Sequence, residues 1–376
     1  MSREFRSSHA IAAGLALCLG LALIPTASAQ AAEPMTLRNR SAAGRVKSAW
    51  TPERLRAARP LQTPKLSVAY AAPGSIAEEA VSGRSVSAPG QLPLPGIRPL
   101  RSNRLFDPTP RAAAGASVRG IAEPAGGSTG AQFTSQRLIP EDADLAYPYS
   151  TAGKFFFTIP GEGDFYCSGA VLRKRIVVTA GGCVHQGSGG NNGFYEDFLF
   201  VPAYRDGDAP YGVWEWAAVT VSAPWSQSNG RLPNAADWAL VEMADQTFDG
   251  EELRIGDVTG TLGYATRRLR PNHATILGYP VNFDGGEWMH QVSAKDFRAT
   301  APAATNNVEY GSDMRAGSEG GPLLQDFGDN PNLVKLIGVL SYYSSSAKVK
   351  TQGASNLDQR FATDLAAVCE ELAGNC

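Results

Sequence analysis

A hydrolytic site of the acyl-transfer kind needs a nucleophile, a base to take its proton and a carboxylate to orient that base. This chain is poor in bases. Four histidines occur in 376 residues, at His9, His185, His273 and His290, and no two are close in sequence. His185 is expected on an outward-facing turn, as a surface residue. Besides Cys18, cysteines stand at 167, 183, 369 and 376, without a CxxC pair or a histidine cluster, which argues against zinc. Gly187 to Gly193 is glycine-rich, but no GK[ST] signal follows, so a phosphate cradle is not expected. Trp214-Glu215-Trp216 alternates as a half-buried strand does and reads as packing rather than a sugar platform. Neither a metal nor a cofactor is expected.

Short strands must position whatever chemistry exists. Lys154 to Ile159, Arg175 to Thr179, Phe198 to Val201 and Trp216 to Val221 are β-rich runs bounded by turns. Trp238 to Glu242, Ala274 to Tyr279 and Val334 to Leu340 continue the pattern, and only Leu357 to Leu372 has helical spacing. The 138–376 region therefore predicts an all-β barrel or sandwich closed by one C-terminal helix. Hydrophobic content of 43% with 19% charged residues supports a sizeable core, and a net charge of −2 favours neither nucleic acid nor a strongly basic membrane protein.

The N-terminus addresses the compartment. Arg3 and Arg6 precede an apolar run from Ala10 to Pro25, and Ala27-Ser28-Ala29 follows. This is the layout of a signal peptide over residues 1–29, so the mature protein is expected to be secreted or periplasmic, with no membrane span. Cys18 lies inside that leader. The four remaining cysteines read as two disulfides in an oxidising compartment. Their spacings suggest Cys167–Cys183 and Cys369–Cys376, although four cysteines allow three pairings.

Residues 30–137 differ in texture. They are rich in Ala, Pro, Gly, Ser and Arg and read as a disordered or extended prosegment or linker with no core of its own. One short helix is expected after Trp50, with Thr51 as cap and Pro52 at the first position. This arm holds 15 Lys+Arg against 6 Asp+Glu, a net of +9, whereas 138–376 carries −12. A basic arm tethered to an acidic domain either folds back onto it or remains a solvated linker.

Six stretches, in order, resemble the trypsin-like (chymotrypsin-fold) serine peptidases, in particular their bacterial glutamyl-endopeptidase-like branch. They are Tyr147-Pro148-Tyr149 with Gly153 to Phe156; Cys167 to Val171 with Val178 to Val184; Ala236 to Val241; Leu277 to Pro280; Gly311 to Met314 with Gly317 to Pro322; and Gly338 to Tyr342. The resemblance implies a double β-barrel over about 137–376 and a serine endopeptidase scaffold. It also implies a protease triad, and two members are missing. The family pattern TAxHC puts histidine where this chain has Gly182, and GxSGGP puts serine where it has Glu319; Asp237 alone matches. Losing either member costs about 10⁴–10⁶ in rate.

Ser318 is the alternative nucleophile, one residue out of place on a tight turn. Gly317 and Glu319 would supply the oxyanion amides. Glu319 is expected to reach into the emptied base space or to turn its carboxylate onto those amides. Beside Asp237 it would form a two-carboxylate or cation site. The substrate strand would comprise Leu340, Ser341, Tyr342 and Tyr343. Leu340 stands where the branch has a specificity histidine, so acidic-residue preference does not carry over. Arg137-Leu138-Ile139 sits where family members are processed to a new N-terminus. The reading as a whole is a catalytically inactive homologue that binds a protein or peptide.

Overall fold

The run Phe155-Phe156-Phe157 is apolar at consecutive positions, as a strand covered on both faces is. All three are fully buried, in the strand Ala152–Ile159. The computed structural model describes residues 33–62, 85–107, 128–266, 273–299, 306–345 and 350–376, apart from positions 102, 131, 139 and 141. The leader expected over 1–29 lies outside the described residues.

Ala152–Ile159 pairs with Gly163–Val171 on one side and Glu196–Pro202 on the other. Ile176–Thr179, Ala239–Met243 and Trp214–Val221 complete the circuit, and the last pairs back onto Glu196–Pro202. This closes a first antiparallel barrel. A second barrel runs through His273–Gly278, Pro322–Gln325, Lys335–Ser345, Lys350–Asn356, Asn307–Gly311 and His290–Ala299, which returns to the first of these. Each ring closes on itself, and stretches of Trp214–Val221, Gly163–Val171 and His290–Ala299 still take added strands from the arm. The chain ends in the helix Gln359–Glu371, whose Asp358 caps the Arg360 amide at 2.9 Å. Its Phe361, Leu365 and Val368 pack on the main apolar cluster. The all-β double barrel with a C-terminal helix is therefore present. Both suggested disulfides are formed, Cys167–Cys183 within the first barrel and Cys369–Cys376 from the last turn of that helix to the segment after it. Among the described residues no helix is long and apolar enough to cross a membrane.

The arm departs from expectation. Over its described parts it is ordered, because its few large apolar residues find a core in the barrels rather than in the arm itself. Val46, Trp50, Leu55 and Phe106 are buried in the main apolar cluster, which first-barrel and second-barrel residues share. The expected helix forms as Pro52–Ala57, with Thr51 accepting from the Arg54 amide at 3.3 Å. Met35–Arg38 adds a strand to Trp214–Val221, and Phe133–Arg137 adds one to His290–Ala299. The stretches 63–84 and 108–127 lie outside the described residues.

Lys154 is the one basic residue in the phenylalanine strand, and it is buried too. Its Nζ meets Glu287 Oε1 at 2.8 Å and lies 4.1 Å from the Tyr166 ring centre and 4.6 Å from that of Tyr204. Burial pulls its pKa below the usual lysine value, against the opposing pull of Glu287. This pair joins a first-barrel strand to a second-barrel loop.

Candidate functional site

Asp237 follows Ala236 at the entry to the strand Ala239–Met243 and is 1% exposed. Its Oδ1 accepts the Gly182 amide at 2.9 Å and its Oδ2 accepts the Ser341 hydroxyl at 2.5 Å. Its own amide donates to Ser355 Oγ at 3.0 Å. Burial raises its pKa to about 6, against the lowering effect of Ser341 and the Gly182 and Gly181 amides. The four stretches that meet here are the Cys183 turn, the Asp237 turn and the strands Lys335–Ser345 and Lys350–Asn356.

Burial of this carboxyl sets a pH dependence. The folded-state pKa lies above the ordinary value, so the folded protein holds a proton that the unfolded chain has released. Stability contributed by the neutral form is present at acid pH and lost as pH rises from about 4 to about 6. At about 1.4 kcal/mol per pH unit the loss is on the order of 3 kcal/mol. Asp364, also raised to about 6 by burial, falls in the same window. Urea denaturation of wild type and Asp237→Asn across this range isolates the first group. The variant is expected to gain on wild type as pH rises, and parallel profiles would remove Asp237 as the cause.

Gly181 and Gly182 lie against an aromatic ring that no local signal in the chain places there. Trp225 sits on the short helix Ala223–Ser226, whose start is capped by Ser222. Its indole spans both glycines. A β-carbon on Gly181 would fall 2.6 Å from Trp225 Cγ, and one on Gly182 would fall 3.1 Å from Cζ2. The ring is 5% exposed and anchored by Nε1–H donating to the His185 carbonyl at 2.7 Å. The space open beside Gly182 is thus filled by an indole from far along the chain.

His185 is the clearest correction. It is fully buried, not outward-facing. Its Nδ1 accepts the Gly187 amide and its Nε2 pairs with the Gly190 carbonyl, each at 2.9 Å. That pattern fixes the proton on Nε2. Its ring lies edge-on to Phe194, and burial lowers its pKa. The glycine-rich stretch is folded around this imidazole, which explains both its glycines and the burial. The other two histidines among the described residues are elsewhere: His273 is exposed at a strand start, and His290 pairs with Asp284 at 2.8 Å over the Phe283 ring.

The loop from Gly317 to Gly321 runs tightly beneath the first barrel. Gly317 has φ +93°, and a β-carbon there would meet the Tyr166 ring at 2.5 Å. Gly320 has φ +80°, and a β-carbon would strike Thr179 Oγ1 at 2.1 Å and the Ser168 carbonyl at 2.3 Å. Only glycine meets both demands. Between them Glu319 is 3% exposed and its Oε2 accepts the Gly317 amide at 2.7 Å. Of the two arrangements expected for Glu319, this contact is the turn onto an amide of its own loop. The carboxylates of Asp237 and Glu319 each have their own donors.

Ser318 points the other way. Its hydroxyl donates to the Arg315 carbonyl at 2.7 Å and accepts from Gln352 Nε2 at 2.6 Å. Leu340 and Tyr342 are buried, Leu340 within the second-barrel cluster. Ser341 serves Asp237, and Tyr343 is half-buried beside the Arg315 guanidinium at 5.0 Å. Of the four residues expected on the substrate strand, Tyr343 alone is not buried. Arg137, the residue before the expected processing point, is held by Asp284, and Leu138 is buried; Ile139 lies outside the described residues.

No family model matches the chain. Over 190 residues it is 24% identical to a glutamyl endopeptidase of Bacillus licheniformis, covering 50% of this chain and 52% of that protein. The chain thus spans about half the length of the curated relative it matches. Among solved structures it is similar to the protease Anisep from Arthrobacter nicotinovorans, with a TM-score of 0.52 and 25% identity over 63% of this chain and 99% of that one. A thermostable serine protease, AL20, from an extremophilic microorganism gives a TM-score of 0.49 and 24% identity over 58% and 97% of the two chains.

Proposed function

We propose that this chain, similar in sequence and fold to the trypsin-like (chymotrypsin-fold) serine peptidases, is a pseudoprotease, a protease scaffold that binds a protein or peptide without cleaving it. In this reading Gly182 takes the place of the base, Glu319 that of the nucleophile, and Asp237 is the triad carboxylate retained. The observation that carries it is the Glu319 carboxylate on the Gly317 amide. An acyl-transfer site keeps that amide free for the oxyanion of the tetrahedral intermediate. Here an anion of the protein's own already holds it, and Trp225 covers the position from which an imidazole would act.

Ser318 does not replace the missing serine. A serine nucleophile has its proton taken by a base, whereas this hydroxyl gives its proton to a backbone carbonyl and accepts from an amide. Leu340 offers an apolar side chain to the second barrel and no charge for an acidic substrate residue. Two disulfides suit an oxidising, extracytoplasmic compartment. A fluorophosphonate probe tests the proposal directly, since it reacts with activated serines. The purified protein is expected to remain unlabelled; stoichiometric labelling at Ser318 would sink the pseudoprotease reading.

A further inference from the structure

We propose that residues 33–62 are a permanent part of the first barrel, seated on a surface shaped to receive them, and not a segment shed on maturation. The segment makes three kinds of contact, each with its own matching feature on the barrel.

The first is strand addition. Met35–Arg38 pairs antiparallel with Trp214–Val221, from Met35 opposite Val221 to Arg38 opposite Ala218, and Thr36 and Thr220 share a hydroxyl bond of 2.8 Å. At the other end Arg59–Pro60 runs parallel to Phe165–Tyr166, and the Leu61 amide donates to the Tyr166 carbonyl at 3.0 Å. Backbone pairing of this kind gives affinity that depends little on side chains.

The second is apolar anchoring. Val46, Trp50 and Leu55 are 1%, 4% and 5% exposed. Trp50 packs on Phe156 with ring centres 5.6 Å apart, and its Nε1–H donates to the Asp197 carbonyl at 2.7 Å. A buried tryptophan whose polar atom is satisfied is the usual anchor of a lasting interface.

The third is charge. Glu215 lies between Trp214 and Trp216, is 6% exposed, and accepts the Lys47 amide at 2.6 Å and the Gly44 amide at 3.1 Å. Arg54 binds Asp164 through two parallel bonds of 2.8 and 2.6 Å, and Thr158 completes that carboxylate at 3.0 Å. Bidentate pairs of this geometry fix orientation as well as adding energy. Arg38 pairs with Glu371 of the C-terminal helix at 2.9 Å. Two of the arm's arginines, Arg38 and Arg54, are thus placed on carboxylates of an acidic domain.

None of these contacts depends on the covalent link beyond Gln62. The test is to insert a site-specific protease sequence between Gln62 and Ser85, cleave the purified native chain, and follow the freed N-terminal fragment by gel filtration. It is expected to co-elute with the barrels in buffer and to separate only in concentrated guanidinium. The same cleavage in an Arg54→Ala, Glu215→Gln background is expected to release the fragment at moderate salt. Elution of the wild-type fragment on its own, with the melting temperature of the remainder unchanged, would overturn the proposal. Equal retention by the double variant would overturn the specific seat assigned to the charges.

Discussion

Restoring histidine at 182 and serine at 319 together is expected to yield no peptidase activity until Trp225 is also cut back to alanine. A β-carbon at 182 already crowds the indole at 3.1 Å, and an imidazole would extend further along the same direction. The indole cannot step aside cheaply, because it is buried and its N–H is bonded to the His185 carbonyl. Glu319→Ser removes the carboxylate from the Gly317 amide, which returns an oxyanion donor. Asp237 stands ready with Ser341 behind it. The triple variant is therefore expected to exceed the double by about 10³-fold or more in kcat/KM on an activated peptide ester, the scale on which triad members act. Trp225→Ala alone costs about 3–5 kcal/mol of stability, so the melting temperature must be followed alongside. Hydrolysis by the double variant would show that the indole is no barrier.

Glu287→Gln is expected to cost about 3–5 kcal/mol near neutral pH, because it leaves the Lys154 ammonium buried without its counter-charge. The lysine is 1% exposed and ringed by Tyr166, Tyr204 and Phe156, so no water reaches it to compensate. Lys154→Met should cost distinctly less. Glu287 is 26% exposed, can turn to solvent, and still accepts the Tyr204 hydroxyl; methionine suits the aromatic lining. The two variants should also differ in their response to pH. Burial lowers the lysine pKa, and without Glu287 only the weaker pull of Asp206 opposes it. The penalty in Glu287→Gln is then full while the lysine is charged and recedes as rising pH neutralises it. Denaturant unfolding at neutral and alkaline pH measures both effects, and equal costs for the two variants would discard the asymmetry.

Much of the scaffold is legible in the chain because its signals are local. Runs such as Arg175 to Thr179 and Trp216 to Val221 are strands by composition, and the observed strands Ile176–Thr179 and Trp214–Val221 lie within two residues of them. Thr51-Pro52 announces a helix start through the geometry of a cap. The cysteine pairs are separated by 16 and 7 residues, near enough that spacing alone suggests them. Chemistry is legible in the same way. The identity of position 182, 237 or 319 is read directly, and each has a meaning within the resemblance.

The misread residues share one property: what surrounds them is set by how the chain closes on itself, not by their own composition. His185 follows a disulfide turn and carries no sign of burial, yet the glycine-rich stretch after it closes over the ring. Glu215 alternates with two tryptophans like a solvent-facing residue, but Gly44 and Lys47, from the distant arm, cover it. The arm lacks a core by composition, which is true of the arm alone and says nothing about a surface waiting for it.

Sequence by itself determined the all-β class, the basic arm and acidic domain, and which residue types stand at the three positions, and it suggested the disulfide partners that the fold then formed. Tertiary structure decided what fills the room left by them: an indole from Trp225 at the Gly182 turn, and a carboxylate folded back onto the Gly317 amide. Secondary structure depends on neighbours within a few residues, so composition and periodicity report it. Occupancy of a space depends on segments brought together by barrel closure. Contacts between such distant segments leave no periodic trace in the chain.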